Sequence, residues 1–189
     1  MKITNSFFNK KILEIKLDIH KDKRGFFLES YNKKKLNDIG IKKSFIQDNF
    51  SFSIKKYTFR GIHTQLRPFS QAKILRVIKG SILDYVVDLR PNSETFGKYI
   101  KILLNDKNLS CIFIPEGFGH GFLTLSNNTL INYKVTKHYS AKHSVSISHL
   151  DKTIKLDLSI AKEKRITISK NDLKGISLIK FKNISIKKI

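Results

Sequence analysis

From residue 26 to residue 140 the chain runs as short, apolar-rich segments of alternating polarity. They span 26–31, 44–53, 56–60, 72–79, 82–89, 98–104, 110–115, 119–126 and 129–137. Lys79-Gly80, Pro91-Asn92-Ser93, Asn105-Asp106-Lys107-Asn108 and Asn127-Asn128 punctuate them with turn-forming residues. Helical periodicity is weak throughout this span. Short helices are expected near 32–38 and 159–164, and Ser169 is placed to cap a turn through 172–174. Regularly spaced strands with few helices predict an all-β fold, an antiparallel jelly-roll barrel with short flanking helices. The stretch 178–189 alternates apolar residues with Lys and reads as an added edge strand or a frayed tail.

Alternation also assigns faces. In Ala72-Lys73-Ile74-Leu75-Arg76-Val77, Lys73 shares a face with Leu75 and Val77, opposite Ile74 and Arg76. A lysine on the inner face of a barrel strand is costly to desolvate unless it meets an anion or polar partner, and Asp84 on the next strand is a candidate. Gly61 can bulge its strand, so parity does not assign directions to Arg60 and His63.

Length and composition narrow the class. A chain of 189 residues, 40% hydrophobic and 11% aromatic, is expected to form one domain over 1–189 with its core at about 20–175, followed by a basic segment at 176–189. Neither a membrane-length apolar run nor a signal-peptide core is present in the sequence, and Cys111 has no second cysteine to pair with. A reducing cytoplasm and no membrane association are expected. The net charge is +22, yet only six of the 37 basic residues are Arg and the other 31 are Lys. Nucleic-acid readers lean on Arg for bidentate contacts, and these lysines are scattered. AT-rich codons favour Lys, Ile, Asn and Phe. No nucleic-acid partner is expected, and a phosphate-bearing small molecule fits the charge better.

The chemistry concentrates in Arg60-Gly61-Ile62-His63-Thr64-Gln65, with Lys73 ten residues beyond His63, and in Pro115-Glu116-Gly117-Phe118-Gly119-His120. These pieces resemble the barrel core of a cupin. A metal-binding cupin carries His-x-His and a nearby carboxylate on one strand. Here Gln65 takes the second His position and no Asp or Glu lies between His63 and Lys79. The ammonium of Lys73 would repel a divalent cation. No metal or other cofactor is expected. A histidine base beside a buried cation suits proton abstraction next to a carbonyl.

Further segments carry a more specific resemblance. They are Asp22-Lys23-Arg24-Gly25-Phe26-Phe27-Leu28-Glu29, Phe45 to Ser53, Phe59 to Gln65, Lys73 to Val77, Asp84 to Arg90 with Ser93 to Gly97, Ile114 to Phe122, and Tyr133-Lys134-Val135-Thr136. In order and spacing they resemble the dTDP-4-dehydrorhamnose 3,5-epimerase family of cupin-fold nucleotide-sugar enzymes over residues 20 to 175. The resemblance implies a cofactor-independent epimerase acting on a dTDP-linked 4-keto-6-deoxyhexose. It implies His63 as base, Lys73 at the developing C4 oxyanion, Tyr133 as the acid on the other face, and Asp172, in Ile168-Ser169-Lys170-Asn171-Asp172, as the carboxylate orienting the base. Arg24, Phe27 and Glu29 match a segment that contacts the nucleotide, in these enzymes across a homodimer. Gln47, Asn49 and Arg60 match sugar and diphosphate contacts, and His120 a polar wall of the sugar pocket. Each has a plainer reading: His63 as a satisfied core histidine, Asp172 as a solvated residue at a helix start, Phe27 as strand core, His120 as framework.

The chain departs from the family pattern at three places. Thr64 follows the base where Tyr is usual, His138 stands five residues after Tyr133 where a second Tyr is usual, and His149-Leu150-Asp151-Lys152 replaces a Trp-Asn-Asp-Pro loop. These departures bear on sugar placement and on whether C3, C5 or both invert. A single-centre epimerase, a non-catalytic sugar-binding cupin and a metal-dependent cupin oxygenase are the competing readings. Retention of His63, Lys73 and Tyr133 opposes the non-catalytic one, and Gln65 with Lys73 opposes the oxygenase.

Overall fold

The computed structural model describes residues 1–161 and 165–186. The strands are β1 (Lys2–Phe7), β2 (Ile12–Lys16), β3 (Ile19–Asp22), β4 (Gly25–Leu28), β5 (Gln47–Ser53), β6 (Thr58–Gln65), β7 (Lys73–Lys79), β8 (Ser81–Asp88), β9 (Tyr99–Asn105), β10 (Ser110–Ile114), β11 (Phe118–Thr124), β12 (Thr129–Val135), β13 (Ser144–Ser146) and β14 (Thr167–Ile168). The helices are α1 (Lys33–Asp38), α2 (Lys170–Leu173) and α3 (Leu178–Ile186).

Two sheets make a jelly-roll-like sandwich. The first runs β1-β2-β10-β7-β12-β5, and the second β13-β6-β11-β8-β9 with β14 parallel to β6. Strands β3 and β4 form a separate hairpin. Ile12, Leu75, Val77, Ile82, Val86, Ile112, Phe118, Phe122 and Ile131 fill an apolar cluster drawn from both sheets. A second cluster, including Phe59, Ile62, Leu66, Tyr85 and Leu123, is joined by Leu178 and Phe181 of α3. A third includes Ile74, Cys111, Phe113 and Leu36 of α1. Each fully buried aliphatic or aromatic side chain contributes about 1.5–3 kcal/mol relative to exposure. Clusters of this size offset the desolvation of the few charges between the sheets.

The expected helix at 32–38 is α1, whose N-cap Asn32 accepts from the Lys35 backbone N–H at 3.1 Å. Ser169 caps α2 through the Asp172 N–H, also at 3.1 Å. The helix expected at 159–164 is a single 3₁₀ turn at Ser159–Ala161, and 162–164 lie outside the described residues. The edge strand or frayed tail expected at 178–189 is instead α3 through Ile186, with 187–189 outside the described residues. Leu178 and Phe181 are one helical turn apart and both buried, so the 3.6-residue period wins over the alternation read from sequence. Strands β1, β2, β3, β13 and β14 were not expected. They are short or pair at sheet edges, and β1 lies almost wholly exposed, so the apolar run that announces a core strand is missing.

Gly61 bulges β6. In the pairing of β6 with β11, His63 lies opposite His120 and Arg60 opposite Phe122, so three steps on β6 match two on β11. Without the extra residue, Arg60 and His63 would point to opposite faces. Gly61 has φ +129°, and a Cβ there would overlap Gly121 Cα and lie 2.9 Å from His120 O. Gly25 has a similar φ of +134° with nothing within 4 Å of the Cβ position. Gly25→Ala should therefore cost about 1 kcal/mol from backbone strain alone. Gly61→Ala should cost about 2–4 kcal/mol, because strain and close approach add. Urea denaturation of the two variants checks this, and equal losses would contradict the close-approach account.

Candidate active site

A cleft of about 160 Å³ opens between the sheets. One wall is the first sheet, with Ser51 of β5, Lys73 of β7, and Ile131 and Tyr133 of β12. The facing wall is the second sheet, with Arg60 and His63 of β6, and His120 and Phe122 of β11. A larger groove of about 860 Å³ is lined by Leu66, Leu89, Pro91 and Phe181 among others. It holds none of the predicted site residues, so volume alone does not locate the chemistry.

His63 Nε2 sits 2.5 Å from Asp172 Oδ1. A carboxylate only accepts, so Nε2 carries the proton and Nδ1 is left as the basic nitrogen. Asp172 is buried. Burial raises its pKa, but His63, Ser169 and Ser146 outweigh that and hold it below the ordinary carboxylate value. The plainer reading of Asp172 as a solvated helix-start residue does not hold, and neither does that of His63 as a histidine satisfied within the core, since its side chain is 45% exposed toward the cleft.

Lys73, Leu75 and Val77 share the inner face as alternation predicted, Lys73 in the cleft and the other two in the inter-sheet cluster. Desolvation brings the Lys73 pKa down to about 8 against the opposing pull of Asp84. Asp84 is fully buried and accepts from His120 Nε2 at 2.7 Å, while its Oδ2 has no hydrogen-bond partner among the described residues. Its interaction with Lys73 is therefore through charge. Burial lifts the Tyr133 phenol above its ordinary pKa, partly opposed by Arg60, so it holds its proton at neutral pH. Arg60 spans the sheets through Ser53 Oγ at 3.1 Å and Phe52 O at 3.0 Å. Gln65, in the second-His position of a metal cupin, is buried and committed elsewhere. Its amide donates to Phe69 O at 2.7 Å and accepts from Ser140 N–H at 2.7 Å.

The family model for dTDP-4-dehydrorhamnose 3,5-epimerase matches residues 9–180. The chain belongs to this family. The dTDP-4-dehydrorhamnose 3,5-epimerase of Methanothermobacter thermautotrophicus is 39% identical over 158 residues, 84% of each chain. The Bacillus anthracis enzyme, solved with TDP and PPi bound, superposes with TM-score 0.88 at 36% identity, covering 93% of this chain and 98% of that one. The Legionella pneumophila epimerase, in complex with dTDP-4-keto-L-rhamnose, gives TM-score 0.88 at 34% identity, covering 94% and 93%.

Other residues matched to the epimerase family divide into two groups. Gln47 and Asn49 lie on the same face of β5 as Ser51, joined to each other at 2.8 Å, and extend the cleft wall toward the sheet edge. Arg24, Phe27 and Glu29 do not reach the cleft within one chain. Arg24 pairs with Asp22 at 2.6 Å, Glu29 pairs with Lys35 at 2.5 Å, and Phe27 is 66% exposed on the β3–β4 hairpin. The reading of Phe27 as strand core is thereby overturned. Two residues escaped sequence reasoning. Tyr139 is exposed, and its backbone N–H donates to Gln47 Oε1 at 3.3 Å. Tyr139 stands one position beyond His138, so a fixed spacing of five from Tyr133 does not find it. Ser146 donates to Asp172 Oδ1 at 3.2 Å, and no sequence signal marks a lone serine as a partner of a carboxylate 26 residues away.

NMR titration of the Lys73 amine should give a midpoint near 8 rather than the ordinary value of about 10.4. Asp84 favours the charged form, so Asp84→Asn should move that midpoint lower still. A Lys73 midpoint near the ordinary value, or one raised by Asp84→Asn, would contradict the burial account.

Proposed function

We propose that the protein is a cofactor-independent epimerase that converts a dTDP-linked 4-dehydro-6-deoxyglucose to the 4-dehydrorhamnose form by inversion at C3 and C5. The observation that carries this reading is the opposition of His63 and Tyr133 across the cleft. A base on one sheet and a proton donor on the other address the two faces of a sugar ring lying between them, which is what inversion of a carbon requires.

The chemistry follows from the C4 ketone, which acidifies the hydrogens on both neighbouring carbons. His63 Nδ1 takes the proton, the C–H electron pair becomes the enolate, and the C4 oxygen gains negative charge. Asp172 stabilises the imidazolium that forms. The Lys73 ammonium meets the oxyanion in a site partly shielded from water, where such a charge counts for more. The Tyr133 O–H then delivers a proton to the opposite face of the same carbon. Each inversion returns the substrate's proton count and leaves His63 protonated and Tyr133 ionised; loss of the His63 proton to water and return of one from water to Tyr133 reset the site, so no redox group is needed. Lys73 is charged below about pH 8 and neutral above, so turnover should fall as pH rises through that value.

Incubation with dTDP-4-keto-6-deoxyglucose in deuterated water, read by proton NMR, tests both roles. His63→Asn should lower deuterium entry at C3 and C5 by about 10²–10⁴-fold with nucleotide binding retained. Tyr133→Phe keeps the ring but not the transferable proton, so inversion at C5 should fall much further than deuterium entry. Wild-type exchange in His63→Asn would put the base elsewhere. Exchange at one carbon alone in the wild type would favour a single-centre epimerase.

The working unit in this reading is a homodimer in the cytoplasm. Strand β5 inverts the usual polarity: Gln47, Asn49, Ser51 and Ser53 face inward, while Phe50 and Phe52 point outward at 67% and 52% exposure. With Phe26 and Phe27 on the hairpin, they expose aromatic surface that a second copy would cover. Such pairing brings Arg24 and Phe27 of one chain toward the other's nucleotide. Cys111 is buried with its thiol pushed up to about 12, so it is an unreactive core thiol. Light scattering should give a dimer, and replacing Phe50 and Phe52 with Ser should yield a monomer with weakened nucleotide binding. A fully active wild-type monomer would remove the role across subunits.

A further inference from the structure

The oxygen of Asp172 that binds His63 is shared. Strand β13 pairs with β6 so that Ser146 lies directly opposite His63. Its hydroxyl donates to Asp172 Oδ1 at 3.2 Å, the same oxygen that accepts His63 Nε2–H at 2.5 Å. The position of Ser146 is fixed on both sides of the chain. Ile176 N–H donates to Ser146 O at 2.9 Å, and Ser148 N–H donates to Ile176 O at 2.9 Å, tying this segment to the turn that follows α2. Gly175 lets the two backbones approach, since a Cβ there would lie 2.7 Å from Ser148 N. The carboxylate, the base and the serine are thus held by three separate elements, α2, β6 and β13.

We propose that Ser146 is a positioning residue that acts on the base through Asp172, drawing off part of the charge on Oδ1 and so setting how readily the His63–Asp172 pair takes up a proton. This rests on the epimerase reading only for its kinetic readout. A hydrogen bond to a charged group is among the stronger ones. Here it competes with the imidazolium for a single oxygen. Charge withdrawn by Ser146 stabilises the imidazolium less, so the pair gives up its proton at lower pH than it would without the serine.

Other groups facing Asp172 are accounted for. His63 comes from β6, Ser169 caps the helix of Asp172 itself, and Lys170 on that helix is exposed. Across the cleft from His63 stand Lys73 of β7 and Tyr133 of β12, with His120 of β11 and Arg60 of β6 beside it, none of which the Ser146 variants alter. A further titratable neighbour of Asp172 is His149, on the loop after β13. Its ring packs on Phe59 at 5.7 Å between centroids, and its Nδ1 is buried without a hydrogen bond. Burial lowers its pKa against the attraction of Asp172, and so favours the neutral form of His149.

The experiment compares wild type, Ser146→Ala, Ser146→Thr and His149→Phe. Two quantities are read: the pH dependence of kcat/KM for deuterium entry, and the NMR titration of the His63 ring in substrate-free protein. In Ser146→Ala the sign runs one way. With the competing donor gone, Asp172 stabilises the imidazolium more, so both the acid limb and the ring titration should move to higher pH. At the pH where the wild type is half-maximal, kcat/KM should fall about 2- to 5-fold, with a plateau within about 2-fold of wild type. Ser146→Thr keeps the hydroxyl and should restore the wild-type limb. His149→Phe should leave the limb in place, because no hydrogen bond joins His149 to the His63–Asp172 pair among the described residues. A serine that matters only for packing would lower the plateau and leave the limb and the ring titration where they were, and that result overturns the proposal. An absence of exchange in the wild type would instead count against the epimerase reading, while the ring titration still decides the role of Ser146.

Discussion

The site depends on the contact between β6 and β11 at Gly61 and Gly121. No side chain fits between these backbones, and the extra residue of the bulge turns Arg60 and His63 onto one face. Both reach the cleft because of that single irregularity. An unbulged β6 would send one of them into the apolar cluster on the far side, where Phe59 and Ile62 lie. Neither an arginine nor an unpaired histidine is stable there without a partner.

Electrostatics then divides the cleft into two halves with different tasks. Beside the second sheet, Asp172 of α2 is buried and accepts from His63 and Ser146 through one oxygen, which favours its ionised form. On the first sheet, Lys73 has no carboxylate in direct contact among the described residues and feels Asp84 through charge, because that carboxylate is tied to His120. A lysine paired tightly with a carboxylate would have its positive charge already neutralised. One held near an anion but not bonded to it keeps that charge available to the cleft, as the proposed oxyanion role requires. The free Oδ2 of Asp84 is the structural cost of that arrangement.

The two faces of β5 connect the site to assembly. Polar residues inward serve the cleft, which leaves the aromatic residues of the strand pointing outward. An isolated chain exposes them, and the hairpin bearing Phe27 and Arg24 is exposed alongside. The residues matched to nucleotide contacts and the apolar surface that a second copy would cover thus lie on the same elements. In the proposed dimer, binding and pairing of chains would be coupled by the strand pattern itself.

The sequence by itself determined the all-β class, nine strand segments, the face of Lys73 and the residue types of an acid-base site. Each of these follows from local alternation, turn chemistry or motif spacing, which need no distant partner to be read. It also signalled that Gly61 makes parity unreliable beside His63. The tertiary structure decided what depends on distant contacts. Asp172 meets His63 across 109 positions of chain, and Ser146 meets Asp172 only because β13 docks on β6. The end of the chain is the clearest case. Its alternating Ile and Lys suited a strand, but the buried surface offered by Phe59, Tyr85 and Leu89 accepts Leu178 and Phe181 from one face of a helix. Local pattern proposes a period, and the shape of the surface to be covered selects it.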